Sequence, residues 1–231
     1  MRGKRLTIVQ VGDPVLRQRA RALTAEEIRS REIRQLIAQM RQTMYDAPGV
    51  GLAAPQIGLA LQIAVIEDRE DYLEEIDDEK LAERERGVVP FHVIINPTLT
   101  IIDSSRGGDS ARSGDAPRAG DSPRAGNAGR AREAREGVRF FEGCLSLAGF
   151  TALVPRARRV RVTCLDEHAR HKTIEASGWY ARILQHEIDH LNGCLYIDRM
   201  DVRTFGSLDN FERFWKGKPV EEVRAALEEK G

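Results

Sequence analysis

The stretch QHEIDHLNG, residues 185 to 193, places His186 and His190 four positions apart with Glu187 beside the first. On a helix, residues i and i+4 share a face about 6 Å apart, a span that one divalent ion can bridge. Glu187 points slightly to the side of that face. From there it can reach a metal-held water as a general base without being a ligand. Two imidazoles do not complete a catalytic site, so the third protein ligand decides what the helix does.

Two protease patterns can be tested directly. The metzincin pattern continues with a glycine and a third histidine; Gly193 falls in place, but the ligand position is Tyr196. The thermolysin-like pattern needs a glutamate downstream, and Glu212 and Glu221 both lack the local context it uses. Cys144, in FEGCLSL, is the better candidate, because one thiolate and two neutral imidazoles leave a fourth tetrahedral position open. Zinc and iron(II) both suit such a set. A buried structural thiol is the alternative for Cys144. A third element, GVGLAAPQIG (49–58), has small residues that allow close backbone approach and an amide donor in Gln56. It lacks the spacing of a phosphate-binding loop.

Around these motifs the chain reads as α+β. Thr24 and Glu27 form a capping box, and apolar residues from Ile33 to Met44 recur at helical spacing, predicting one helix over 25–45. LQIAVI (61–66) reads as a buried strand. FHVIIN and LTII read as strands about a turn at Asn96-Pro97. VRFF leads as a strand into EGCLS. RVRVTCL and KTIEA form a hairpin that places Val160, Val162 and Cys164 on one face. Ser177 is positioned to cap the helix carrying QHEIDH, Gly193 to end it, and a last helix starts near Pro219 with Val223 and Leu227 on its packing face. The expected architecture is antiparallel strands packed around a central metal-binding helix, with an N-terminal and a C-terminal helix. His92, His168 and His171 read as structural or solvated.

Charge and composition narrow the function. Lys plus Arg and Asp plus Glu both total 36 in 231 residues, so no overall field favours nucleic acid or a membrane surface. No apolar run is long enough to span a membrane, and none of signal-peptide length precedes Asp13-Pro14. Three cysteines do not form a disulfide framework, which points to a reducing cytoplasm. Residues 67 to 86 hold eleven acidic and four basic side chains, a solvated surface segment. Residues 108 to 131 read GDSARS, GDAPRA, GDSPRA, GNAGRA, with no large apolar side chain, so a disordered insertion at 103–137 is expected within one catalytic domain over 1–231.

GVGLAAPQ (49–56), EGCLS (142–146) and QHEIDH (185–190), in that order, resemble the three motifs of peptide deformylases. IVQVGDPVLRQRA and GWYARILQHEIDHLNGCLYIDRM extend the likeness, while FEGCLSLAGF and DRMDVRTF resemble the organelle-type branch that some bacteria also carry. The insertion has no counterpart in that pattern. The resemblance implies a hydrolase that removes the N-formyl group from the N-terminal methionine of newly made proteins, with iron(II) as the metal and zinc or another divalent ion able to replace it. It assigns Cys144, His186 and His190 to the metal and Glu187 to proton transfer. Gln56 and the Leu145 N–H would hold the developing oxyanion. Val50 and Ile183 would line a methionine pocket, Gly51 would pair with the extended peptide, and Asp189 or Gln185 would orient the metal ligands. Nascent formylated chains are the implied partners, met near the ribosome without direct nucleic-acid or membrane binding. A small metalloprotease and a catalytically inactive metal-binding relative are the alternatives.

Overall fold

The computed structural model describes residues 6–47, 49–74, 76–102 and 137–228. The expected insertion at 103–137 lies outside the described residues except for Gly137. A five-stranded sheet runs in the order β1 (Gly51–Ala53), β2 (Ile63–Asp68), β3 (Val89–Ile101), β6 (Arg159–Leu165), β7 (His171–Ser177). A three-stranded sheet holds β4 (Val138–Cys144), β5 (Leu147–Arg156) and β8 (Gly206–Ser207). Every neighbouring pair is antiparallel.

The larger sheet is covered on both faces. Ala64 and Ile66 of β2 pack with Ile183, Leu184 and Ile188 of helix α4 (Gly178–Leu191). Ile63 and Val65 pack instead with Ile28 of α1 (Ala25–Arg29) and Ile37, Met40 and Met44 of α2 (Arg31–Asp46). Burial on both sides explains why IAVI is continuously apolar rather than alternating. β6 does alternate, and Val160, Val162 and Cys164 all face the α4 side as expected. Between the sheets, α4 is enclosed nearly all round, the condition for positioning polar groups away from water. Gly193 ends it with φ +74°, and a Cβ there would lie 2.7 Å from the Arg17 carbonyl.

Three local expectations change. The single helix over 25–45 breaks at Ser30, whose backbone is extended (φ −65°, ψ 159°) and whose hydroxyl accepts from the Ile33 N–H, capping α2. The capping box at Thr24 and Glu27 starts α1 as predicted. Asn96-Pro97 is not a turn: β3 runs through it with a register shift between Ile95 and Thr98. Asn96 takes φ +51°, and its side chain exchanges two hydrogen bonds with the Leu23 backbone (2.9 and 2.8 Å), which makes it a bulge. Ser177 is the residue before α4, but its side chain makes no capping bond. The acidic segment forms a short helix, α3 (Asp78–Arg84). Strand β5 and helix α5 (Leu208–Phe214) had no sequence signal assigned to them, whereas α6 (Val220–Glu228) starts after Pro219 as expected, with Val223 buried. Among the described residues, no helix is long and apolar enough to cross a membrane.

Candidate metal centre

The β4–β5 hairpin and α4 bring Cys144, His186 and His190 together. One ligand atom from each lies within 4.8 Å of the other two. The Cys144 Sγ is 3.3 Å from the His190 Nε2. One sulfur and two imidazole nitrogens converging this closely fit a divalent ion such as zinc or iron(II). Among the described residues no other cluster of His, Cys, Asp or Glu does so. His168 and His171 are exposed. His92 is held by the Pro90 carbonyl and the Tyr180 hydroxyl. Tyr196 is buried, stacks near His186 at 6.4 Å and supplies no ligand. Glu212 and Glu221 pair with Lys216 and Arg224 at the surface. Neither protease pattern finds its third ligand.

Polar residues buried along α4 almost all have partners. Gln185 bonds the Ala157 backbone in both directions and the Ala181 carbonyl. Asp189 accepts from Arg156 and from Arg199, the latter at 2.7 Å through both oxygens. Neither therefore orients a metal ligand, contrary to expectation. That part falls to Glu142, which had been given no role. Its carboxylate bonds His186 Nδ1 at 3.1 Å, Arg156 at 2.9 and 3.0 Å, and Arg182 at 2.6 Å. Burial disfavours the ionised form, yet His186 and Arg156 hold the Glu142 carboxyl well below the usual carboxylate range. A sequence signal existed, a carboxylate two residues before the ligand cysteine, but its partners lie 14 to 44 residues away.

Three buried groups of α4 remain without hydrogen-bond partners: Trp179 Nε1, Glu187 Oε2 and His190 Nδ1. Glu187 is 4% exposed, and burial, opposed in part by His186 and Arg156, pushes its carboxyl up to about 7. An unpaired carboxyl oxygen beside a metal-ligand set is costly for folding alone and useful for proton transfer. Gly51 makes room for it: a Cβ at that position would lie 2.2 Å from Glu187 Oε1. Gln56 sits in the turn Ala54–Ile57, where the Ala53 N–H fixes its Oε1 at 2.8 Å and its Nε2 lies 3.5 Å from the Cys144 sulfur. The amide donor therefore faces the metal ligands.

A cavity of about 490 Å³ opens over these groups. Val50, Gly51, Gln56, Leu145, Ile183 and Glu187 all line it, so every expected substrate residue is present. Phe141, Leu147 and Trp179, unassigned from sequence, add to its apolar wall. Gly51 belongs to the edge strand of the five-stranded sheet, with one side unpaired by any strand among the described residues.

Comparison with known proteins follows the same lines. A family model described as Polypeptide deformylase matches residues 5–205. The chain is 40% identical over 205 residues to peptide deformylase 1A, chloroplastic, of Solanum lycopersicum; the match covers 89% of this chain and 63% of that protein's length. It is 39% identical over 225 residues to peptide deformylase 3 of Streptomyces avermitilis, covering 97% and 84%. Among solved structures it resembles a Synechococcus elongatus peptide deformylase in complex with actinonin, with TM-score 0.59, 32% identity and coverage of 96% and 93%. A Met-Ala-Ser-bound class I type b peptide deformylase from Acinetobacter baumannii gives TM-score 0.64 at 25% identity, with coverage of 86% and 99%.

Proposed function

The chain belongs to the polypeptide deformylase family, and on that premise we propose that it hydrolyses the N-formyl group from formyl-methionyl ends of newly made polypeptides, releasing formate. The observation that carries the reading is Glu187: a buried carboxyl with an unpaired oxygen, raised to about 7, beside one thiol and two imidazoles.

Cys144, His186 and His190 would hold one divalent ion, with iron(II) proposed and zinc or another divalent ion able to replace it. Such an ion, when bound, acidifies water and polarises a carbonyl oxygen. Glu187 takes the water proton and passes it to the leaving amine, which a carboxyl titrating near neutrality can do in both directions. Gln56 Nε2 and the Leu145 N–H stabilise charge developing on the formyl oxygen. Val50 and Ile183 hold the methionine side chain against the apolar wall. Gly51 pairs with the extended substrate backbone, adding a strand to the open edge of β1. The Met-Ala-Ser peptide held by the Acinetobacter relative agrees with this substrate class. The same reading takes residues 1–231 as one catalytic domain and puts the enzyme in the cytoplasm close to the ribosome.

The test is formate release from formyl-Met peptides by metal-loaded protein, with Glu187→Gln as the paired variant. The variant should lose about 10²–10⁴-fold in rate. Undiminished activity in the variant, or cleavage of internal peptide bonds in place of formate release, would overturn the proposal.

A further inference from the structure

A second cavity, of about 550 Å³, lies at the start of α4 and shares only Arg182 with the site cavity. Its wall carries six arginines and three glutamates. Two of the arginines, Arg156 and Arg182, belong to the buried network behind His186. That network sets Arg156, Arg182 and Arg199 against Glu142 and Asp189, three cations to two carboxylates. Arg158 pairs with Glu85. Gly178, the first residue of the 14-residue α4, also lines the cavity, and the Ser177 side chain leaves that helix end uncapped. The positive end of a helix dipole therefore adds to the guanidinium charge.

Arg84, the last residue of α3, brings a charge that its surroundings leave mostly uncompensated. Its guanidinium lies over the Trp179 and Phe140 rings at 5.1 and 5.5 Å, and its buried Nε has no hydrogen-bond partner. Burial and Arg86 both disfavour the charged form of Arg84, and Glu83 offsets them only in part. Burial, with Arg156 and Arg84 close by, outweighs Glu142 and draws Arg182 down to about 10. Like charges gathered around a half-buried cavity oppose one another until an anion enters it. Guanidinium forks match the oxygens of a phosphate in bidentate fashion. Val138, Phe140 and Val220 give the same wall apolar surface, which a bare ion would not use. The volume is that of a small-molecule site.

We propose that this cavity binds a small phosphorylated molecule, its phosphate drawn by Arg84 and the N-terminal end of α4 and its organic part set against Phe140. The site is separate from the metal centre and does not rest on the deformylase reading. Inorganic phosphate and phenyl phosphate are the probes, in thermal melting of metal-loaded protein against chloride at matched ionic strength. At ten times its dissociation constant, phenyl phosphate should raise the wild-type Tm by about 3–6 °C, and it should bind more tightly than inorganic phosphate. Arg84→Met keeps an apolar stem and removes the fork, so the shift should fall to about 1 °C or less. Arg41→Met removes a cation of α2 that does not line the cavity, and should leave the shift intact. Each shift is read against the same variant in chloride, and calorimetric titration with phenyl phosphate measures binding directly, so a destabilised variant stays readable. No shift beyond chloride in the wild type sinks the proposal. An equal shift in Arg84→Met does the same, because the phosphate then sits elsewhere, the metal centre included. Loss of the shift in Arg41→Met as well would reduce the effect to general screening of charge. Inorganic phosphate binding as tightly as phenyl phosphate would strike out the organic part of the ligand. Binding of an RNA oligonucleotide, with no response to either small phosphate, would replace the small ligand by a polynucleotide.

Discussion

His186 and His190 stand one turn apart on one helix, yet their surroundings differ sharply. His186 Nδ1 meets the Glu142 carboxylate at 3.1 Å, and through it a buried network of Arg156, Arg182, Asp189 and Arg199. His190 Nδ1 is buried without a partner. Their protonation tendencies diverge accordingly. Burial opposes charge on His186, but bonds to Cys144 and Glu142 raise it well above the ordinary histidine value. Burial lowers His190, and the nearby His186 and Arg156 charges lower it further. One candidate ligand is tethered electrostatically; the other is held by packing, at 1% exposure. Two side chains of a candidate metal site are therefore aimed by two different physical means within one helical turn.

The largest test of that contrast is Arg156→Met. Arg156 is the cation between Glu142 and Asp189, with side chains 3%, 4% and 10% exposed. Removing one partner from a buried network leaves uncompensated charge and should cost about 3–5 kcal/mol in urea unfolding. A loss within about 1 kcal/mol would mean that the tether does not depend on the network. Glu142→Gln comes next. It replaces the carboxylate facing His186, and chelator competition should show metal affinity reduced about 10–100-fold. Unchanged affinity would erase the difference between the two histidines.

Tyr196→Phe should do much less. It keeps the ring 6.4 Å from His186, inclined 18°, and removes a buried hydroxyl that has no partner. Melting should stay within about 0.5 kcal/mol of wild type or rise slightly; a clear loss would reveal a bond to that hydroxyl. The smallest effect belongs to a third histidine. His92 has both nitrogens engaged, by Pro90 at 2.9 Å and Tyr180 at 3.0 Å, and burial lowers its pKa below the ordinary value. The unfolded chain then binds the proton more readily, so His92's contribution is whole above about pH 6.5 and declines as pH falls towards its folded value. His92→Gln should flatten the stability slope over that window, and an equal slope in both proteins would discount the assignment.

Local patterns carried much of the architecture. The capping box at Thr24, the apolar run of β2, the alternation of β6 and the glycine stop at Gly193 each encode their element within a few residues. Where expectation failed, a distant partner had intervened. Asn96-Pro97 has turn composition, but Leu23 lies within hydrogen-bonding reach and converts it into a bulge. Ser30 sits inside a helical apolar period, yet capping α2 with its hydroxyl wins over continuing α1.

The sequence by itself picked out the candidate metal set and the proposed base: His186, Glu187 and His190 are spaced by helical geometry, and Cys144 and Gln56 stand in recognisable motifs. Only the tertiary structure decided how that set is aimed. Glu142 reaches His186 across 44 residues of chain, and Gly51 clears space for Glu187. Spacing along one helix is local and leaves a periodic trace. A buried carboxylate tether is set by which strand lies against that helix, and such pairing leaves no period to read.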